Sequence, residues 1–195
     1  MTATQIIAIA LMAIFYTAYL GKKFAQREKG ITTNQIGQGD KPRRVIRIEK
    51  IMGIATLLII PVELASIFLF PRFSVATTLT NVLQWVGLGL TAVGITFFII
   101  AMLTMADNWR AGIPHHDRTA FVSHGIYRIS RNPAFVGFDL MYLGILIAFP
   151  NPIHLIFAAF PIVMLHLQIK QEEVFCQQTF GDEYIVYCTK VRRYL

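Results

Sequence analysis

The sequence contains few charged residues for its length. Asp, Glu, Lys and Arg together account for 15% of the 195 residues, whereas soluble domains average about 25%. Hydrophobic residues account for 55%, and a soluble core of this size has too little interior to bury them. The composition therefore excludes a soluble globular domain, a disordered chain and a fibre, and it indicates an integral membrane protein.

Cysteines and clusters of metal ligands are also scarce. Cys176 and Cys188 are the only cysteines, which predicts isolated thiols and excludes a disulfide scaffold. His115 and His116 are adjacent, and adjacent side chains project to different sides of most backbones. We therefore predict no metal site.

Five apolar segments predict an all-α, polytopic membrane protein with five transmembrane helices, because a spanning helix needs roughly 20 apolar residues. The segments cover residues 2–20, 51–70, 82–105, 133–149 and 153–169. The Thr-rich stretch that ends at Asn81 is expected to be a loop, and Pro71-Arg72-Phe73 is expected to close the second segment. The last two segments are short and flank Pro150-Asn151-Pro152, which predicts a C-terminal helical hairpin. Glycines 87, 89 and 94 of the third segment predict close helix packing.

Residues 2–20 also have the apolar character of a signal peptide. No basic residue precedes them and no small-residue cleavage site follows them, so we interpret them as the first span.

Basic residues are distributed unevenly between the predicted loops. Nine lie in the polar stretch 21–50, four in residues 107–132 and four after residue 169, whereas Arg72 alone lies on the opposite side. Because basic loops stay in the cytoplasm, this distribution predicts an outside N-terminus and a cytoplasmic C-terminus. It also accounts for the net charge of +7 without nucleic-acid binding.

Polar residues capable of chemistry lie in two predicted cytoplasmic segments. In the first, Pro133 suits the first turn of a helix and Asn132 suits its N-cap. Arg128 and Arg131 precede this helix start, where exposed N–H groups and guanidiniums would receive a carboxylate or phosphate. Anchoring to lipid headgroups is the alternative interpretation of both arginines.

The second segment follows the hairpin and begins with Glu172 and Glu173. The hairpin should return these carboxylates to the helix start at Arg131. They would form a structural ion pair there, or bind the ammonium and carboxylate of an amino-acid-like cofactor. Glu63 and Asp139 lie within apolar segments, where an acid is either functional or paired with a neighbour.

Two motifs flank the hairpin. They consist of Gly125-Ile126-Tyr127, Arg131-Asn132-Pro133, Phe135 and Gly137, then Glu172-Glu173, Phe180-Gly181, Tyr184, Tyr187 and Val191. At this separation they resemble the isoprenylcysteine carboxyl methyltransferase family, over roughly residues 110–193. That family shares its C-terminal catalytic module with phospholipid methyltransferases.

The resemblance implies S-adenosylmethionine as the methyl donor, in a cytoplasm-facing cofactor pocket built by the connector before the hairpin, the hairpin itself and the C-terminal segment. Arg128 and Arg131 would be catalytic and would receive the substrate carboxylate. The implied cofactor-binding residues are His116, Thr119, Ala120, Phe121, Val122, His124, Gly125, Tyr127, Asn132, Pro133, Phe135 and Glu172. The sequence departs from the family at Asn132, usually His, and at Gln168, often Arg.

The implied function is carboxyl O-methylation of a prenylated cysteine at the membrane, among membrane lipids and without an obligate protein partner. Residues 1–106 would form the N-terminal transmembrane part with the basic loop 21–50, and residues 107–195 the catalytic module. A phospholipid N-methyltransferase is the near alternative. A nicotinamide-dependent membrane sterol-type reductase and a non-enzymatic heme- or lipid-binding protein are more distant ones.

Overall fold

A computed structural model describes residues 1–73, 77–114 and 120–195. Five α-helices make up most of this part of the chain. They are α1 (Ala3–Glu28), α2 (Arg43–Phe73), α3 (Thr78–Met105), α4 (Pro133–Ala148) and α5 (Pro152–Lys190). Two 3₁₀ turns, Ala106–Asn108 and Gly125–Arg128, lie between α3 and α4.

Four of the described helices, α1, α2, α3 and α5, are long and apolar enough to cross a membrane. α4 is apolar but has only 16 residues. At about 1.5 Å per residue it is about 24 Å long, which is shorter than a hydrocarbon layer of about 30 Å. The predicted all-α fold with five helices and a C-terminal hairpin is confirmed, and four of the five predicted transmembrane helices are long enough to span.

The turn of the hairpin is fixed by Asn151. Its side-chain oxygen accepts a hydrogen bond from the amide of His154 at 2.8 Å and so caps α5. Pro152 follows at the start of the helix, where its missing N–H costs nothing. The Asn151 amide group also donates to Ser66 Oγ at 2.8 Å, which attaches the turn to α2.

Several helix ends differ from the ends of the apolar segments. α1 continues to Glu28 and α2 starts at Arg43, so both extend into the polar stretch 21–50. α2 ends at Phe73, which agrees with the expected close of the second segment at Pro71-Arg72-Phe73. The expected loop is wrong at 78–81, because Thr77 caps α3 by accepting from the Thr80 amide at 3.1 Å. Hydropathy therefore marks the apolar part of each helix, whereas its ends depend on local capping.

α3 and α4 pack backbone to backbone through two glycine pairs, Gly87 with Gly144 and Gly94 with Gly137. A Cβ atom at Gly94 would lie 2.6 Å from the carbonyl oxygen of Gly137, and a Cβ atom at Gly137 would lie equally close to Gly94. The predicted packing role is confirmed for Gly87 and Gly94. The predicted role is wrong for Gly89, where an added Cβ atom would have no neighbouring atom within 4 Å. Residues seven apart share a helix face, and Gly89 lies off that face.

A methyl group at the α3–α4 contact should destabilise the fold. We expect Gly94→Ala to lower the free energy of unfolding by about 1–3 kcal/mol, since a packed backbone must move. Gly89→Ala is the matched control, and it should raise stability by about 0.5–1 kcal/mol because alanine favours an open helix position. Unfolding of the purified variants in detergent measures both changes. Equal stability of the two variants would contradict this packing.

α5 is interrupted near its C-terminal end. Gly181 has φ 54° and ψ −129°, a backbone conformation that glycine adopts without the strain imposed by a side chain. The helix therefore changes course after residue 180. Residues 182–190 form a second helical stretch, and the polar segment Val191–Leu195 follows.

Candidate active site

A cavity of about 730 Å³ is lined by residues of all five helices, a volume typical of small-molecule sites. Part of the lining is apolar and comes from α1, α2 and α4. It includes Phe15, Tyr16, Leu57, Ile60 and Phe138. The charged and amide groups that line the hairpin side of the cavity are Arg131, Asn132, Glu172 and Glu173. The cavity thus joins an apolar compartment to a polar rim.

Glu173 is the centre of a charge cluster at this rim. Nη2 of Arg131 lies 3.0 Å from Oε1 of Glu173. Arg193 donates to Oε2 of the same carboxylate from Nε at 2.9 Å and from Nη2 at 2.6 Å. The predicted meeting of arginine and glutamate at the rim is confirmed, but the participation of Arg193 was not predicted.

The segment Val191–Leu195 is attached to the start of α4 by its backbone. The Arg131 amide donates to the carbonyl of Arg192 at 2.9 Å, and Asn132 Nδ2 donates to the carbonyl of Arg193 at 3.1 Å. Asn132 occupies the N-cap position, yet its side chain makes no capping hydrogen bond. The expected capping role of its side chain is therefore wrong, because the side chain binds this segment instead.

Glu172 lies one position from Glu173 and has different surroundings. Its Oε1 accepts a hydrogen bond from Gln168 Nε2 at 3.1 Å, and the residue lines the cavity. No described cation lies within ion-pair distance of it. Its carboxylate is therefore available to a positively charged ligand.

Aromatic side chains form one wall of the cavity. The ring of Phe121 lies 5.2 Å from that of Phe180 and 5.3 Å from that of Tyr187, centre to centre. The Tyr187 hydroxyl donates to the carbonyl of Tyr127 at 2.5 Å, which joins α5 to the 3₁₀ turn. Burial raises the pKa of Tyr127 well above its ordinary value, and the charge of nearby Glu172 raises it further. The phenol of Tyr127 therefore stays protonated.

The segment between α1 and α2 also contributes to the cavity, through Asn34 and Ile36. A buried ion pair holds this segment in place. Lys41 Nζ lies 2.9 Å from Oε2 of Glu49, and Glu49 also accepts from the amides of Gly37 at 2.7 Å and Ile113 at 2.9 Å. This contribution has no local signal in the sequence, since the pair is separated from the connector at Ile113 by most of α2 and all of α3.

The structure brings most of the predicted site residues together. Those that line the cavity are Ala120, Phe121, Val122, Tyr127, Arg131, Asn132, Phe135 and Glu172. His124, Gly125, Arg128 and Pro133 do not line it, and the side chains of His124 and Arg128 are exposed. His116 and Thr119 lie outside the described residues. Glu63 and Asp139 are also absent from the lining.

Comparison with known proteins relates the chain to methyltransferases. The model of the phospholipid methyltransferase family matches residues 82–183. A probable protein-S-isoprenylcysteine O-methyltransferase of Oryza sativa subsp. indica is 31% identical over 113 residues, which cover 55% of this chain and 58% of the relative. The chain thus matches less than two thirds of that relative's length. Protein-S-isoprenylcysteine O-methyltransferase A of Arabidopsis thaliana is 29% identical over 149 residues, which cover 74% of this chain and 73% of the relative.

Proposed function

Because the chain belongs to the phospholipid methyltransferase family, we propose that it transfers a methyl group from S-adenosylmethionine to the carboxylate of a prenylated cysteine. The names of the rice and Arabidopsis relatives support the acceptor. The observation that carries the proposal is the cavity, in which the guanidinium of Arg131 and the apolar side chains of the spans line one continuous space. A prenylcysteine has a carboxylate and an apolar chain in the same molecule.

Arg131 is the proposed carboxylate receptor. Its Nε atom is buried and has no hydrogen-bond partner among the described residues. A buried donor without a partner costs about 1–3 kcal/mol, so an anionic ligand that accepts from Arg131 would remove that cost. Arg128 is exposed and lies away from the cavity lining, which leaves Arg131 as the better supported of the two.

Glu172 is the proposed partner of the cofactor's amino group. It lines the cavity and has one hydrogen bond, from Gln168, so a carboxylate oxygen remains available for a charge-assisted bond to an ammonium. When bound, S-adenosylmethionine supplies an electrophilic methyl group on its sulfonium. The rings of Phe121, Tyr184 and Tyr187 line the same space, and aromatic faces attract cations.

The proposed reaction needs few protein groups. A carboxylate is already ionised at pH 7 and needs no general base. The protein must orient the two reactants and exclude water. Arg131 would orient the acceptor oxygen, Glu172 would orient the donor, and the aromatic wall would keep the site dry.

A phospholipid N-methyltransferase is the second candidate, because the description of the matching family favours it. Its acceptor is an amine, which must lose a proton during the reaction. Glu172 would then have to accept that proton as well as bind the cofactor, whereas Arg131 would repel a cationic acceptor.

The proposal includes an arrangement in the membrane. The uneven distribution of basic residues supports an outside N-terminus and a cytoplasmic C-terminus, with the rim of Arg131 and Glu173 in the cytoplasm. The lipid chain would enter laterally from the bilayer, since it is insoluble in water. Residues 107–195 would form the catalytic module, to which residues 1–106 contribute the apolar compartment.

The acceptor is tested with purified protein, labelled S-adenosylmethionine and either a prenylcysteine or phosphatidylethanolamine. We expect a base-labile methyl ester on the prenylcysteine. The same compound without its prenyl chain should not react, because burial of each methylene contributes about 0.8 kcal/mol to binding. Label found only in a base-stable N-methyl lipid would refute the proposal in favour of the second candidate.

Glu172→Gln should weaken the binding of S-adenosylmethionine by about ten- to a hundredfold, because a charge-assisted hydrogen bond is worth about 1.5–3 kcal/mol. Calorimetric titration with the cofactor measures the change. Glu183→Gln is the matched control, since Glu183 is exposed and absent from the cavity lining. Unchanged affinity in folded Glu172→Gln protein would assign Glu172 a structural role.

A further inference from the structure

Two arginines divide the carboxylate of Glu173 between them. Arg193 occupies Oε2 with two hydrogen bonds, from Nε at 2.9 Å and Nη2 at 2.6 Å. Nη2 of Arg131 lies 3.0 Å from the other oxygen, Oε1, which accepts no hydrogen bond from the described residues. Arginine and a carboxylate otherwise prefer a bidentate pair with two parallel bonds, and Arg193 occupies Oε2, the second oxygen that such a pair with Arg131 would need.

The two arginines differ in their relation to the cavity. Arg131 and Glu173 line it and their side chains are only 13% and 14% exposed, whereas Arg193 is absent from the lining and its side chain is 38% exposed. The side chain of Arg193 therefore acts on a ligand in the cavity through Glu173. The hydrogen bond to Glu173 also raises the pKa of Arg193, which keeps its guanidinium charged.

We propose that Arg193 is a positioning residue that holds Glu173 away from a bidentate pair with Arg131, so that Arg131 keeps donors for an anionic ligand in the cavity. The inference rests on the proposed function in taking that ligand to be the substrate carboxylate. Without Arg193, Glu173 closes on Arg131 and competes with the ligand. The protein then loses its preference for a carboxylate over a neutral group of similar size.

The backbone around Arg193 makes substitution of its side chain a clean test. The carbonyl of Arg193, not its side chain, accepts from Asn132 Nδ2, and Tyr194 binds His166 through its hydroxyl. These contacts remain in Arg193→Gln, so the segment stays attached to α4. Arg193→Lys restores the charge without the two-donor geometry.

The experiment compares the binding of N-acetyl farnesylcysteine with that of its methyl ester, by calorimetric titration in detergent. The wild type should prefer the carboxylate. Arg193→Gln should reduce this preference about tenfold, and Arg193→Lys should recover part of it. Lys190→Gln is the control, since Lys190 is exposed near the same segment. The affinity for S-adenosylmethionine should be the same in all of the variants. A variant that disrupted the structure of the rim would lower that affinity as well.

Three results would overturn the inference. One is a wild type without preference for the carboxylate. The second is an Arg193→Gln protein that keeps the wild-type preference, and the third is an Arg193→Gln protein that loses cofactor affinity and carboxylate affinity together. The proposed function has a different test. It is refuted if the wild type binds the prenylcysteine but transfers no methyl group to it, and in that case the binding comparison still decides the role of Arg193.

Discussion

Arg131→Gln should lower kcat/KM for methylation of a prenylcysteine about a hundredfold. Arg131 is the cavity-lining guanidinium next to Glu173 and the proposed partner of the substrate carboxylate. Loss of one member of a buried charge pair costs about 2–5 kcal/mol. The variant should still fold, because Glu173 keeps both hydrogen bonds from Arg193. Its affinity for S-adenosylmethionine should change little, since the proposed partner of the cofactor is Glu172.

The chain provides a matched control for this prediction three positions earlier. Arg128 has the same charge and lies in the same connector, but it is exposed and absent from the cavity lining. Arg128→Gln should keep kcat/KM within about twofold, since surface substitutions of this kind have small effects. Initial rates at varied acceptor concentration measure both variants. If Arg128→Gln loses the activity and Arg131→Gln keeps it, the carboxylate receptor is misassigned.

Lys41→Met should destabilise the protein by about 3–5 kcal/mol, the cost of leaving one buried charge without its partner. The side chains of Lys41 and Glu49 are 4% and 0% exposed. Glu49 would keep its two backbone donors, Gly37 and Ile113, but would lose its counter-charge. The segment between α1 and α2 should then detach from the cavity, and cofactor affinity should fall with stability.

Lys29→Met is the control for a salt bridge at the surface. Lys29 and Asp107 form an ion pair at 2.8 Å, with side chains 58% and 51% exposed, and such pairs contribute about 0–1 kcal/mol. Denaturant or thermal unfolding in detergent compares the two variants. A Lys41→Met protein as stable as Lys29→Met would show that the buried pair does not hold the segment.

The features predicted correctly from sequence depend on neighbouring residues. Pro150, Asn151 and Pro152 allow little except a tight turn, and the hairpin then returns Glu173 to Arg131 by chain geometry alone. The spacing of Gly87 and Gly94, seven residues apart, places them on one helix face. Gly89 does not share this spacing, which predicts that it lies off the packed face. Thr77 followed by Thr80 likewise indicates an N-cap at the start of α3.

The features that sequence analysis missed depend on distant residues. Arg193 reaches Glu173 because Gly181 redirects α5, and the direction of a helix after such a break is not encoded by any local pattern. Lys41 and Glu49 look like ordinary members of a basic loop, yet the fold buries them against Ile113. Whether a charged residue is exposed or buried follows from packing, and periodicity within a loop says nothing about that packing.

The attachment of Val191–Leu195 to the start of α4 also has a consequence for biosynthesis. Asn132 and Arg193 form their hydrogen bond across 61 positions of the chain. At a translation rate of about 5–20 residues per second, the ribosome needs about 3–12 s to cover that interval. α4 is synthesised early in this interval, but until its end Arg131 has neither the carbonyl of Arg192 nor the arrangement of Glu173 that Arg193 imposes. The rim is therefore completed late, after the membrane helices that surround it have been synthesised.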